Sequence, residues 1–351
     1  MKDTTPIDIS TEALHVLLER HREWWHGRGK LVAYVPSAPL GDLWLPLADG
    51  TVAMEDLDLH PEMVDVDALV GPSQEPGPLQ VIGDRISARA PYARIPWVEA
   101  ILGCPIRATI QGGSMRTQSF ITDWGEWRAR PTHWHQEWFD LLMQLIELLA
   151  ERSGGRHAVV QTLMRGPCDL AEAVLGPEMM CLSMYDSPDE LAAFLDEVTD
   201  TFIRILNAQL ERIPEIEGGY VNPFGIWAPG TVVRTQCDAS AFLSPKQYAD
   251  WFLPHDVRIC EEVGYSTIHL HSYSLHTVEA LLAVERPHAL QVSLDPETSA
   301  PTLEELLPKL RQILAVKPLI VDGPMTEEQV EFLLGELPHD GLSIGARQAT
   351  W

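Results

Sequence analysis

The sequence has 351 residues, of which 45% are hydrophobic and 22% charged, values typical of a soluble protein with a substantial core. Its 25 basic and 51 acidic residues give a formal net charge of −26, which repels phosphate backbones and anionic lipid. We therefore expect no nucleic-acid partner. No stretch reaches the length of about 18 consecutive apolar residues that a membrane-spanning helix needs, so we expect no membrane insertion either.

The cysteines indicate the compartment. There are five, an odd number, and they are widely spaced: Cys104, Cys168, Cys181, Cys237 and Cys260. The opening residues, MKDTTPIDIS, contain no apolar signal region. This pattern predicts reduced thiols and a cytoplasmic protein.

The N-terminal part begins with a helical pattern. Leu14, Leu17, Leu18 and Trp25 recur at helical spacing over residues 11–25, and glycines at 27 and 29 end the pattern. We assign residues 1–30 to this N-terminal helix and predict a first buried strand at 31–35. Residues 36–155 are predicted to hold the start of a barrel with long insertions, one of them rich in tryptophan.

Strand and helix patterns alternate regularly from residue 157 to residue 346. Strands are predicted near 158–164, 266–270, 289–293, 318–321 and 342–345, with helical patterns between them. This alternation is typical of a parallel sheet with right-handed crossovers. About eight strand positions over this length predict an α/β fold, a single (β/α)8 TIM barrel domain over residues 1–351, with an N-terminal helical extension and a Trp-rich insertion.

Catalytic residues of such barrels lie at the carboxyl ends of the strands, which directs attention to the polar residues after each predicted strand. From these and neighbouring positions we assign catalysis to Asp238, Asp322 and Arg347. We assign substrate binding to Arg165, Asn222, Trp227 and Tyr273. Arg165 and Arg347 are suited to binding a carboxylate, although pairing with nearby acids is an alternative for both.

A metal site is predicted where a cysteine follows one strand and a His-x-His triplet ends the next. Cys237, His269 and His271 make a thiolate and imidazole set of the kind that zinc binds, with a fourth position left for substrate. Asp238, Asp295 or Asp322 is expected either to orient an imidazole or to replace one ligand. The simpler alternatives are that Cys237 is an ordinary buried thiol and that His271 points to solvent.

The same region resembles a known family. Cys237-Asp238-Ala-Ser-Ala-Phe-Leu-Ser244-Pro245 and the later Ile268-His269 are similar to the central block of the uroporphyrinogen decarboxylase superfamily. Arg165-Gly166-Pro167 and Val321-Asp322-Gly323-Pro324 are similar to two further segments of that family. The likeness covers about residues 157–346, and it implies a TIM barrel.

The resemblance favours one branch of this superfamily. The decarboxylases carry an Arg-Gln-Ala-Gly-Arg segment after the first strand, where this sequence has Val35-Pro36-Ser37-Ala38-Pro39. The other branch comprises zinc-dependent, corrinoid-linked methyltransferases, whose zinc is held by a His-x-Cys motif and a cysteine near the last strand. Here His271 replaces the first cysteine and the last strand has none, so Cys237 is the predicted substitute.

The principal hypothesis is a zinc-dependent methyltransferase or demethylase that moves a methyl group between a small substrate and a corrinoid carried by a partner protein. The first alternative is a cofactor-free decarboxylase or lyase of the same superfamily, in which Asp238, His269 and Arg347 transfer protons and bind a carboxylate. A third reading is a non-catalytic small-molecule binding protein on the same barrel. Zinc content distinguishes the first from the other two.

Overall fold

The structure is a computed structural model that describes residues 4–36, 42–296 and 300–348. Residues 37–39 of the segment compared above with the decarboxylase motif lie outside these ranges. The helices are α1 (Thr11–Trp25), α2 (Val66–Val70), α3 (Trp97–Leu102), α4 (Trp124–Ala129), α5 (Gln136–Arg152), α6 (Pro167–Asp186), α7 (Pro188–Leu210), α8 (Pro245–Trp251), α9 (Leu253–Glu261), α10 (Val278–Leu282), α11 (Leu303–Leu314) and α12 (Glu327–Glu336).

The strands are mostly short outside the central sheet. They are β1 (Ile7–Asp8), β2 (Lys30–Pro36), β3 (Leu57–Leu59), β4 (Gln80–Ile82), β5 (Arg85–Ile86), β6 (Ala88–Arg89), β7 (Ile106–Thr109), β8 (Ser114–Thr117), β9 (Ala158–Val159), β10 (Tyr220–Val221), β11 (Trp227–Ala228), β12 (Val232–Gln236), β13 (Tyr265–His271), β14 (Ala289–Ser293), β15 (Leu319–Pro324) and β16 (Leu342–Gln348). Two 3-10 helices lie at Pro61–Met63 and Asp238–Phe242.

The central element is a six-stranded parallel sheet in the order β12-β13-β14-β15-β16-β2. Each of its first four strands is joined to the next by one or two helices, α8 and α9 first and then α10, α11 and α12. The strands predicted near 266–270, 289–293, 318–321 and 342–345 are thereby confirmed as parallel. All six carboxyl ends therefore lie at one edge of the sheet.

A second parallel pairing joins β6 to β9. Its strands are only two residues long, so the strand predicted near 158–164 is much shorter than expected. The six-stranded sheet and this pair together supply eight parallel strands among the described residues, the number that a (β/α)8 barrel needs. The α/β class is confirmed, and closure of the barrel remains a prediction.

The N-terminal part contributes two antiparallel sheets, β1-β4-β5 and β3-β7-β8. The Trp-rich insertion is packed into the main core, where Trp124 and Trp127 contact the ring of Phe194 edge-on. No helix among the described residues has the length and apolar character that crossing a membrane requires.

Capping side chains define where the crossover helices begin. Ser244, Thr302 and Thr326 each accept a hydrogen bond from the backbone three residues later, and the Gln or Glu at that position bonds back to the cap. Such reciprocal caps satisfy two otherwise unpaired N–H groups, and each cap contributes about 1 kcal/mol. They give the crossovers defined starts and hence fix the strand positions.

His21 fastens α1 to the rest of the fold. It is fully buried, its Nε2 lies 2.7 Å from the Asp84 carbonyl oxygen, and its Nδ1 accepts a hydrogen bond of 2.9 Å from the Trp227 backbone N–H. The imidazole is therefore neutral, with its proton on Nε2. Burial lowers the pKa of His21 to about 4, against the partly compensating effect of the Asp84 carbonyl.

We predict that His21 makes the protein less stable in weak acid. As the pH falls below about 6.5 the unfolded chain binds a proton that the folded protein accepts only near pH 4, so the stabilisation is present above pH 6.5 and is lost as the pH falls. The difference in free energy of unfolding between the wild type and His21→Asn should shrink by about 2 kcal/mol from pH 7 to pH 5. Chemical denaturation at both pH values measures it. A pH-independent difference would contradict the assignment, and His15→Asn on the exposed face of α1 is the matched control.

Candidate metal centre and its cavity

The register of three neighbouring strands positions the candidate site. Gln236 of β12 is paired with His269 of β13, and His269 is paired with Gln291 of β14. His271 lies two residues further along β13, opposite Ser293 of β14. All of these side chains line one cavity of about 730 Å³ at the carboxyl ends of the strands.

Strand alternation decides which residue after β12 enters this cavity. Arg234, Gln236 and Asp238 line it, since side chains two apart share a face. Cys237 is directed the other way, into the core, where its thiol contacts the hydroxyl of Tyr248. The structure therefore does not bring Cys237 to the histidines, and Asp238 occupies the position predicted for it.

Three ligand atoms converge in the cavity, from Asp238, His269 and His271. The Nε2 atoms of the two histidines lie 3.4 Å apart. The carboxylate oxygens of Asp238 lie 3.5 Å from Nε2 of His271 and 4.0 Å from Nε2 of His269. His271, which could have faced solvent, is a full member of this triad.

Each imidazole is oriented by a partner on its other nitrogen. His269 Nδ1 contacts the side-chain oxygen of Gln291, and His271 Nδ1 lies 2.6 Å from Asp295 Oδ1. Both Nδ1 atoms must carry a proton to donate to these oxygens, so Nε2 is the atom of each ring that faces Asp238. This is the arrangement that surrounds metal-bound histidines in proteins.

Asp295 and Asp238 are themselves held. The second oxygen of Asp295 accepts hydrogen bonds from Ser272, 2.9 Å from the backbone nitrogen and 2.7 Å from the hydroxyl. Asp238 Oδ2 accepts one of 2.7 Å from the side-chain amide of Gln236. The triad is therefore built on oriented side chains, as a metal site requires.

The triad fits zinc in spacing and in chemistry. Atoms about 2.0–2.2 Å from a tetrahedral zinc lie about 3.3–3.6 Å from one another, and two of the three observed separations fall in this range. When the Nε2 proton of His271 is released, the two Nε2 lone pairs and the Asp238 carboxylate can bind a cation between them. Asp238 Oδ1 is buried and has no hydrogen-bond partner among the described residues, which leaves it for such a cation.

The protonation properties of the two histidines differ. Burial, assisted by the positive charge of Arg234, lowers the pKa of His269 to about 3. The hydrogen bond to Asp238, against burial and with help from Asp295, raises the pKa of His271 to about 9. Burial raises the pKa of Asp238, but the two histidines outweigh it and the net shift is downward. Asp238 is thus favoured as an anion.

Asp322 and Arg347 form a second group beside the cavity. Asp322 is buried and accepts hydrogen bonds from Arg85 Nη1 at 2.6 Å and from Arg347 Nε at 2.9 Å. Arg347 lines the cavity, whereas Asp322 lies behind it. Asp322 is therefore placed to position Arg347, and a direct catalytic role for it is not supported by this location.

Three of the four residues predicted to bind substrate lie outside the cavity lining, and Arg165 lies within it. Asn222 is buried, and its side-chain oxygen accepts from the backbone of Phe224 and Ile226, so it shapes a turn. Trp227 is buried with its Nε1 donating to the Ile216 carbonyl. Tyr273 is half exposed, and its ring stacks on His271 at 5.1 Å.

Sequence reasoning missed Gln236, Gln291 and Arg234. Gln236 and Gln291 orient Asp238 and His269, while Arg234 lies buried beside them. Polar residues inside otherwise apolar strand patterns were the available signal. Two glutamines and an arginine facing the same side as the His-x-His triplet are costly to bury unless they serve a site.

Comparison with known proteins places the fold. No family model matches the sequence, and no curated protein matches it. Among solved structures, the chain is similar to a methyltransferase from Methanosarcina mazei, with a TM-score of 0.54 and 18% sequence identity over 75% of this chain and 75% of that one. At this level of identity the likeness establishes a shared fold.

We predict that Gly345→Ala will disrupt the group around Asp322. A Cβ at position 345 would lie 2.1 Å from Arg85 Nη1, and Arg85 is buried with its guanidinium bound to Asp322. Displacing it breaks a buried ion pair, with an expected cost of about 3–5 kcal/mol in free energy of unfolding. Gly335→Ala in α12 is the control, since open space surrounds its Cβ, and it should be neutral or stabilising. Equal denaturation midpoints for Gly345→Ala and the wild type would contradict the prediction.

Proposed function

We propose that this protein is a zinc-dependent methyltransferase that moves a methyl group between a small substrate and a corrinoid carried by a partner protein. The observation that carries the proposal is the triad of Asp238, His269 and His271 at the carboxyl edge of the parallel sheet. A catalytic zinc site keeps three protein ligands and one position for substrate, which this triad provides.

The fold comparison supports the same reading. The similar structure from Methanosarcina mazei is named as a methyltransferase. In the sequence, Cys237–Pro245 and His269 resemble the central block of the uroporphyrinogen decarboxylase superfamily, and His269-x-His271 stands where its methyltransferase branch has a His-x-Cys motif. In that branch the ligands are sulfur-rich, whereas here a carboxylate and a second imidazole take their place.

We also infer that the sheet closes into an eight-stranded barrel around this site. At one edge the Gln161 side chain bonds both the nitrogen and the carbonyl oxygen of Arg234, at 3.1 and 2.8 Å, and Gly166 N donates to the Gln236 carbonyl. At the other edge Asp84 bonds the backbone of Val32 twice. These contacts support continuity from β12 through β9 and β6 to β2.

Each residue of the centre has a defined task in this proposal. Asp238, His269 and His271 would hold the ion, and zinc when bound supplies Lewis acidity at the substrate heteroatom. Asp295 and Gln291 keep the imidazoles in the tautomer that ligation needs. Gln236 orients Asp238, and Tyr273 covers one face of His271, which limits water at that side.

We predict about one zinc per chain in the wild type and its loss in Asp238→Ala, His269→Ala and His271→Ala. Removing one of three ligands leaves too few donors to retain the ion. Cys237→Ala should keep its zinc because the thiol faces the core. Elemental analysis of protein purified without chelator measures this, with circular dichroism to verify folding. Zinc affinity should also fall on acidification, because protons compete for the ligands.

Metal-free wild-type protein would contradict the assignment of the triad as a zinc site. Zinc that is lost in Cys237→Ala and retained in Asp238→Ala would contradict it as well. Metal-free protein that is still active on its substrate would favour the lyase alternative. The zinc edge in an anomalous scattering experiment on crystals would locate the ion directly.

We predict that Asp295→Asn weakens zinc binding and methyl transfer without abolishing either. Asp295 Oδ1 accepts a hydrogen bond of 2.6 Å from His271 Nδ1. Loss of such a partner typically costs about 10–100-fold in metal affinity or activity. Competition with a chromogenic chelator and methyl transfer to free cobalamin measure the two effects. Asp250→Asn, which removes an exposed carboxylate paired with Lys246, is the matched control and should change neither.

A further inference from the structure

The charge of the cavity is opposite to that of the chain. Four arginines line the cavity: Arg94, Arg165, Arg234 and Arg347. Asp238 is the sole carboxylate among the described residues of its wall. The chain as a whole carries a formal charge of −26. A cavity that concentrates guanidinium groups in so acidic a protein is built to attract an anion.

Two of the four arginines are committed to the protein. Arg234 is buried and donates to the side chain of Gln236. Arg347 donates through Nε to the buried carboxylate of Asp322. Both therefore support other side chains of the site, although Arg347 is 45% exposed and also lines the cavity.

Arg165 is different. Its Nε lies 3.3 Å from a carboxylate oxygen of the buried Glu99, and within the described part of the chain it makes no hydrogen bond. Its side chain is 31% exposed, toward the cavity that it lines. Asp169, Asp238 and Glu172 also lie close enough to raise the pKa of Arg165 after Glu99, but they make no hydrogen bond to it among the described residues. The other donors of this guanidinium are therefore open to a ligand, in the planar fork that matches a carboxylate.

Arg94 lies at the same end of the cavity. Its Nη1 donates to the Gly113 carbonyl at 2.9 Å, and the next two residues, Ser114 and Met115, line the cavity together with Arg165. Ser114, Met115 and Arg165 also line a second cavity of about 550 Å³ between β8 and the kinked part of α6. Arg165 thus stands where two chambers meet.

We propose that the methyl-bearing substrate is a carboxylate, and that Arg165, with Arg94 beside it, binds this carboxylate at the junction of the two chambers. The triad of Asp238, His269 and His271 lies in the same cavity, and a zinc ion held there would supply Lewis acidity at the methyl-bearing heteroatom. Val160, Leu163 and Phe224 line the space and contact the apolar body of the substrate. The methyl-transfer part rests on the function proposed above, whereas the carboxylate site stands on the arginines alone.

The test compares charged probes with neutral ones of nearly equal shape. The pairs are 4-methoxybenzoate with 4-methoxybenzyl alcohol, and 3-(methylthio)propanoate with 3-(methylthio)propan-1-ol. Isothermal titration calorimetry on metal-free and zinc-loaded wild-type protein should show at least one carboxylate binding about tenfold or more tightly than its alcohol. Arg165→Gln should abolish this preference, and Arg165→Lys should retain part of it, since lysine keeps the charge and loses the fork.

Two further variants make the result decisive. Arg165→Gln leaves Glu99 buried without its partner, so the double variant Glu99→Gln/Arg165→Gln guards against a folding defect. Arg107→Gln is the matched control, because that arginine pairs with Asp58 at an exposed position and lines neither of the two chambers. The double variant should fold, keep its zinc and lack the preference. The control should behave as the wild type.

Equal binding of charged and neutral probes would overturn the proposal. So would a preference that survives in both Arg165→Gln and the double variant, or the absence of detectable binding by either carboxylate at about 10 mM. A preference for carboxylates in a protein that binds no zinc would leave the anion site standing and remove the methyltransferase mechanism. Zinc binding and methyl transfer in a protein with no preference for carboxylates would support the methyltransferase mechanism and overturn the anion site.

Discussion

The candidate site depends on a geometric constraint of parallel strands. Residues two apart on one strand face the same side of the sheet, and hydrogen bonding fixes which residues of adjacent strands lie opposite each other. In β13 this brings His269 and His271 to one face, and the register sets Gln236 and Gln291 on either side of His269. A slip of one residue would turn both imidazoles into the helix layer. The buried glutamines and the apolar residues between them make such a slip costly, so the sheet core and the metal centre specify each other.

The cavity wall is rich in positive charge although the chain as a whole is strongly acidic. Arg85 and Arg347 share one buried carboxylate, Asp322, so this group retains an excess of positive charge next to the cavity. The burial of both Arg85 and Asp322 keeps their ion pair strong, whereas Arg347 is partly exposed. An acidic surface and a basic cavity can coexist because the arginines are anchored from behind by Asp322 and Glu99, whose own charges are turned away from the space that a ligand would fill.

The sequence was sufficient where local signals and burial agree. The helix at 11–25 was predicted to the residue, because its periodic apolar side chains end at glycines. Polar residues at strand ends led to His269, His271, Asp238 and Arg347. The antiparallel sheets β1-β4-β5 and β3-β7-β8 were not predicted, since their strands are only two to four residues long and carry no distinct period, and β1 and β3 pair with strands about 50 to 75 residues away.

The burial of Cys237 away from the histidines has an equally physical origin. Cysteine and the adjacent Asp238 lie at the same strand end, and chemistry alone favours the thiolate as a zinc ligand. Which of two adjacent residues faces the cavity depends on the register of β12 relative to β13, and that is a property of the folded sheet. The exposure of Tyr273 and the turn made by Asn222 likewise depend on neighbours that are distant in sequence.

The pairing of β16 with β2 has a consequence for synthesis of the protein. Strand β16, residues 342–348, pairs with β2, residues 30–36, which is synthesised more than three hundred residues earlier. Until the later strand emerges from the ribosome, β2 has an unpaired edge and the cavity lacks Arg347. A nascent chain can thus bury much of its helical core while the reaction chamber stays unassembled, and its open strand edge is the surface that chaperones would need to shield.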